Sequence, residues 1–174
     1  MEGHVILIRT IRMRIPTSKF ALTLLVTIVI LVATILLTWF FERCGLNVQD
    51  QVRSVQSMKD YVGWNWFFIK LVAMVVVVSP VVEELIFRFP TRLVKHTIFA
   101  VVISILFVIL HAVPKVKATH DLMYFVEINS ATFPLFFMAL VWCWLYRRTG
   151  RIWCTMLSHS LFNIVNFTLA LVFT

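Results

Sequence analysis

The sequence predicts an all-α protein, a polytopic membrane helix bundle of about five transmembrane helices. Of its 174 residues 61% are apolar, against roughly 45–50% in a soluble domain. Mean hydropathy is +0.94. The apolar residues fall into five runs of roughly membrane length, with the cations gathered at their ends. Four glycines and five prolines leave no room for a disordered linker, so a single transmembrane domain over 20–174 follows a basic segment at 1–19.

That first segment carries Arg9, Arg12, Arg14 and Lys19 between Ile and Met residues, as a cytoplasmic tail or an interfacial helix does. Residues 20–41 hold no charge and suit a spanning helix. A mixed polar loop follows at 42–63. The second span starts at Trp64, where Trp64 and Trp66 suit the membrane interface and Lys70 can snorkel. It runs through a valine stretch to Glu83, Glu84 and Arg88, and Pro80 is expected to kink it just before the carboxylates. Arg92, Lys95 and His96 form a basic turn. The third span covers 97–113 and should end at Pro114. A polar loop at 115–131 holds Lys117, His120, Asp121 and Glu127, an ordinary solvated set. Spans at 132–146 and 152–173 are joined by Arg147, Arg148, Thr149, Gly150 and Arg151.

The charges predict orientation. With the N-terminus cytoplasmic, segments 1–19, 88–96 and 147–151 hold ten Lys/Arg and lie inside, while the two outer loops hold five. This obeys the positive-inside rule and leaves the C-terminus outside. The net charge of +8 is thus topological, and no nucleic-acid partner is expected; membrane lipid is. Cys44, Cys143 and Cys154 follow no metal or disulfide spacing and read as buried thiols.

Charge within a span costs about 2.5–3.5 kcal/mol on insertion scales, so intramembrane acids mark function. On a helix Glu84 and Arg88 are i and i+4, the favourable order for an ion pair. Glu83 points about 100° away and stays unpaired. A hairpin turning near residue 97 puts Glu83 and His111 fourteen residues from the turn on either side, hence at one depth. His159 and Asn163 are i and i+4 on the last span, and His159 lies about 12 Å beyond Arg151, near the same level. Asn166 alone reads as glue between helices. A carboxylate beside an imidazole in a low-dielectric site suits general-base activation of water, and a second His with an Asn suits oxyanion binding. Glu83, His111 and His159 are equally a zinc ligand set. A third use of the same groups is a proton or cation relay.

EELIFR (Glu83 to Arg88), FVILH (Phe107 to His111) and HSLFN (His159 to Asn163), in this order, resemble the EExxxR, FxxxH and HxxxN motifs of the CAAX-processing and bacteriocin-processing (CPBP, or Abi) family of intramembrane endopeptidases. The likeness covers about 75–172. It implies a site open to the cytoplasmic side and the lipid. Glu83 with His111 would activate water, His159 with Asn163 would form the oxyanion hole, and Glu84 and Arg88 would support them. No cofactor is implied by that reading; zinc is the metalloprotease variant. The implied substrate is a membrane-associated peptide or lipidated protein, a prenylated CAAX sequence or a bacteriocin-like leader. The chain has fewer helices than the eukaryotic enzyme, and small members are often bacterial cell-membrane proteins linked to peptide processing or bacteriocin immunity. A catalytically inactive scaffold or immunity protein keeping the motifs for packing is the non-enzymatic alternative.

Overall fold

The computed structural model describes residues 18–44, 66–94, 96–119 and 132–172. The basic segment up to residue 17 and most of both polar loops lie outside the described residues, as do the anchor Trp64 and the loop residues His120, Asp121 and Glu127. Among the described residues every regular element is helical, and five rods form a bundle. Lys19–Phe40 is long and apolar enough to cross a membrane, and Thr97–His111 is a shorter apolar stretch.

The first rod, α1 (Lys19–Arg43), is unbroken. Its Thr23 and Thr27 hydroxyls are buried, and each lies 2.8 Å from the carbonyl four residues back, on Lys19 and Thr23. Polar side chains thereby enter an apolar rod without leaving a donor unmet. Leu22, Val26 and Ile30 face the core, while Ile28, Val29, Val32 and Leu36 face outward.

The second rod is broken twice. It comprises α2 (Trp66–Ala73), a π-helical turn (Met74–Val78), α3 (Ser79–Phe87) and α4 (Phe89–Leu93). Pro80 does perturb this helix, but as a widened turn ahead of it. The Ser79 N–H reaches back five residues to the Met74 carbonyl, and Pro80, early in α3, has no N–H to give. Pro90 interrupts the ladder a second time, so Arg88 sits in a turn between α3 and α4. Lys70 is exposed, with its ammonium 5.7 Å from the Trp66 ring centroid.

α5 (Thr97–Thr119) runs past Pro114, where the sequence suggested an end. A proline removes one ladder bond and need not stop a membrane helix. α6 (Thr132–Thr149) and α7 (Ile152–Val172) follow. Gly150 joins them with φ +64°, the left-handed conformation that ends helices and that residues with a Cβ rarely adopt. Its N–H returns to the Tyr146 carbonyl at 2.8 Å, and its own carbonyl accepts from Arg92 Nη1 at 3.0 Å.

Arg147, counted above as a topology-setting charge, has a structural task as well. Its guanidinium donates to the carbonyls of Thr91, Val94 and His96 at 3.1, 2.9 and 3.0 Å. One side chain thus caps the end of the second rod and the turn into α5, the turn that sets the register of Glu83 against His111. The core where α1, α3, α5, α6 and α7 meet holds Ile30, Phe87, Phe107, Met138, Trp142 and Phe162. Cys143 and Cys154 are buried in it as free thiols, whereas Cys44 is exposed, unlike the expectation.

Candidate active site

Glu83 lies on α3 beside the break, and its neighbours arrive from two other rods. Its Oε2 atom stands 3.7 Å from His111 Nε2 on α5 and 3.7 Å from His159 Nε2 on α7. The other oxygen, Oε1, accepts a hydrogen bond from the Ser79 hydroxyl one turn back. Among the described residues Oε2 has no hydrogen-bond partner. Glu84 points into the protein, fully buried, between His159 Nδ1 at 3.0 Å and Arg88 Nε at 3.5 Å. The adjacent acids are therefore used differently, and His159 bridges them.

The hydrogen bonds assign the protons. Arginine keeps its charge inside proteins and donates only, so Glu84 facing it is the acceptor carboxylate. The proton between Glu84 and His159 must then sit on His159 Nδ1. His111 Nδ1 lies 2.9 Å from the Phe107 carbonyl, which cannot donate, so this nitrogen is protonated too. In neutral imidazoles both Nε2 atoms are then lone-pair acceptors. Three acceptors, Glu83 Oε2 and two Nε2 atoms, face one another across gaps slightly too long for a direct bond.

Arg88 is fully buried, and among the described residues its nitrogens have no hydrogen-bond partner. The 3.5 Å approach to Glu84 is an ion pair, not a hydrogen bond. Aromatic faces stand where acceptors would be: the guanidinium carbon is 4.6 Å from the Phe107 ring centroid and 5.8 Å from that of Trp142. Trp142 also stacks on the His159 ring, 4.1 Å between centroids and 22° between planes. Its indole N–H donates to Ser158 Oγ at 3.0 Å, and Thr27 of α1 lies 2.9 Å from the same oxygen.

Asn163 is one turn from His159, on the same face of α7. Its Nδ2 donates to the Val75 carbonyl in the π-helical turn at 3.0 Å. Glu83, His111 and His159 are thus brought together, while one amide hydrogen of Asn163 goes to the backbone of the broken rod. Three contributors were not singled out in the sequence: Ser79, Ser158 and Trp142. Ser79 is i−4 to Glu83 and could have been found by the rule that paired Glu84 with Arg88. Trp142 carries no such signal, since its contacts come from separate helices.

Exposure gives the site a direction. The side chains of Glu83 and His111 are 20% and 38% exposed, against 7% for His159. Among the described residues the carboxylate is therefore more open on the His111 side than on the His159 side. Among the described residues no set of three or more His, Cys, Asp or Glu side chains is arranged to hold a metal ion.

No curated protein and no solved structure matches the chain. The family model for type II CAAX prenyl endopeptidases, Rce1-like, matches residues 64–165. That stretch is more than half of the chain and includes every residue of the Glu83, His111 and His159 constellation. The protein belongs to the Rce1-like family of type II CAAX prenyl endopeptidases, which are integral to the membrane.

Proposed function

We propose that this chain is an intramembrane endopeptidase in which Glu83, helped by His111, activates water against a peptide bond of a membrane-associated substrate. Family membership makes a prenylated CAAX sequence the first substrate class to test. The observation that carries the mechanism is that one otherwise unpartnered carboxylate oxygen has an imidazole Nε2 at 3.7 Å on either side.

A water molecule suits three converging acceptors, because it brings two hydrogens and keeps lone pairs for attack. With one hydrogen directed at Glu83 Oε2 and the other at His111 Nε2, its oxygen adds to the carbonyl carbon and Glu83 takes the proton. The C–O bond forms and the carbonyl π electrons move to oxygen. The second amide hydrogen of Asn163 and the Nε2 of His159 serve this oxyanion. His159 can donate from Nε2 only when it carries both protons, and Glu83 is the neighbour that hands one on. The proton then passes to the leaving nitrogen as the C–N bond breaks. Glu84, with Arg88 behind it, keeps the His159 ring in the required orientation. No step is routed through a metal.

Purified protein in lipid would be offered farnesylated CAAX peptides and a panel of unmodified hydrophobic peptides. Three samples are compared: wild type, Glu83→Ala, and wild type with a chelator. The proposal expects cleavage by wild type, loss in the variant, and no effect of chelator. Sensitivity to chelator would transfer the mechanism to zinc. Turnover by Glu83→Ala at the wild-type rate would remove Glu83 from it.

A further inference from the structure

We propose that Asn163 is a positioning residue for Glu83, latching the broken rod by closing a backbone acceptor that the π-helical turn leaves open. The ladder around the break carries the argument. In an α-helical register the Val75 carbonyl would receive the N–H of Ser79; in the π register it would receive the N–H of residue 80. Ser79 gives its N–H to Met74 instead, and residue 80 is proline, which has none. Neither register supplies Val75 with a donor. In hydrocarbon there is no water to replace one, and an unmet backbone group there is strongly unfavourable. Asn163 Nδ2 takes that place at 3.0 Å.

The latch lies one residue chain away from the proposed chemistry. The Ser79 whose N–H defines the wide turn also donates its hydroxyl to Glu83 Oε1, which leaves Oε2 to face the two imidazoles. Tying Val75 to α7 therefore fixes the helix that carries Glu83 against the helix that carries His159. This duty uses one amide hydrogen of Asn163 and is separate from any bond the other gives an oxyanion. It rests on the proposed function only in that Glu83 is the residue positioned.

Because the cause is a missing N–H, the cure is specific. Pro80→Ala returns a donor, and Val75 is then served by residue 79 or by residue 80 in whichever register the turn adopts. Wild type, Asn163→Ala, Pro80→Ala and the double variant would be compared by thermal unfolding in detergent and by hydrogen exchange of amides 76–83. Asn163→Ala alone should lower Tm by about 2–6 °C and speed exchange in that segment. In the Pro80→Ala background the same substitution should change neither. Misplacing a reacting group by 1 Å costs about 10²-fold, so kcat should also be about tenfold or more higher in the double variant than in Asn163→Ala. Equal losses of Tm in both backgrounds would overturn the latch. Restored Tm with no recovery of kcat would overturn its link to Glu83. Should Asn163→Ala fail to fold, the double variant must fold, and its failure would overturn the proposal too. Unfolding and exchange need no substrate, so a wild type inactive on every peptide would count against the protease reading and leave the latch to be judged by them.

Discussion

The first and second rods of this bundle are made from similar apolar residues and put to opposite uses. α1 is 25 residues without interruption; its buried hydroxyls, Thr23 and Thr27, lie against carbonyls of their own helix, and only Thr27 also reaches another helix, at Ser158. The second rod is interrupted at Met74–Val78 and again at Arg88, and it carries two acids whose histidine partners come from other helices, one of the acids also paired with the buried Arg88 of the same rod. The difference shows what a break supplies. A continuous helix satisfies its own backbone and needs neighbours only for packing. A broken one must borrow donors and acceptors, and the lenders are then held in register with it. Here Asn163 serves Val75 and Arg147 serves Thr91, Val94 and His96. The site residues sit between these two tie points.

Substitutions can break or sharpen that contrast. The largest structural effect should come from Glu84→Gln, which leaves Arg88 buried beside a neutral partner. Breaking a buried ion pair typically costs about 3–5 kcal/mol, so folded yield and Tm should fall together with activity. A variant as stable as wild type would show that the aromatic faces of Phe107 and Trp142 suffice for Arg88. Next is Arg147→Ala, which exposes three carbonyls at the hairpin turn. A loss of about 1–3 kcal/mol is expected, measured as a lower midpoint of thermal unfolding; an unchanged midpoint would mean that the turn holds itself. Ser79→Ala should act on rate more than on stability. One lost hydrogen bond of about 0.5–1.5 kcal/mol corresponds to roughly a 2- to 12-fold lower kcat, with KM unmoved if the loss lies in aiming Glu83. Restoration by Ser79→Thr would support the hydroxyl as the cause. The smallest effect belongs to the outward face of α1. Leu36→Ala, on a residue 60% exposed, should shift stability by no more than about 0.5 kcal/mol. A large shift there would mean that α1 is not the passive rod of the pair.

Much of this is legible in the sequence. The five runs, the register of Glu83 with His111 about residue 97 and the Glu84–Arg88 pair all follow from helical geometry and from the cost of charge in lipid. His159 reads from the sequence as level with Glu83, and the two do approach to 3.7 Å; its bond to Glu84 depends on how α7 is rotated, which spacing alone does not fix. Pro80 announced a disturbance without its form, because a proline can kink a helix, end it or be absorbed by a wider turn. Pro114 shows the reverse error, since α5 continues through it. The role of Trp142 against His159 is not readable from the sequence, because the contact depends on how α6 and α7 are rotated against each other. Arg147 was seen as a charge on the inner side and not as a cap, since its three acceptors are carbonyls, which every residue has.

The central claim is that Glu83 and His111 act on water as one unit. The most direct test is a double-mutant cycle in single-turnover cleavage, using wild type, Glu83→Gln, His111→Ala and the double variant in lipid. A general base of this kind contributes about 10²–10⁴-fold, and residues working as a unit give grossly non-additive losses. The account predicts that the double variant is scarcely slower than Glu83→Gln alone. Losses that multiply, so that removing His111 costs as much without Glu83 as with it, would contradict a shared water.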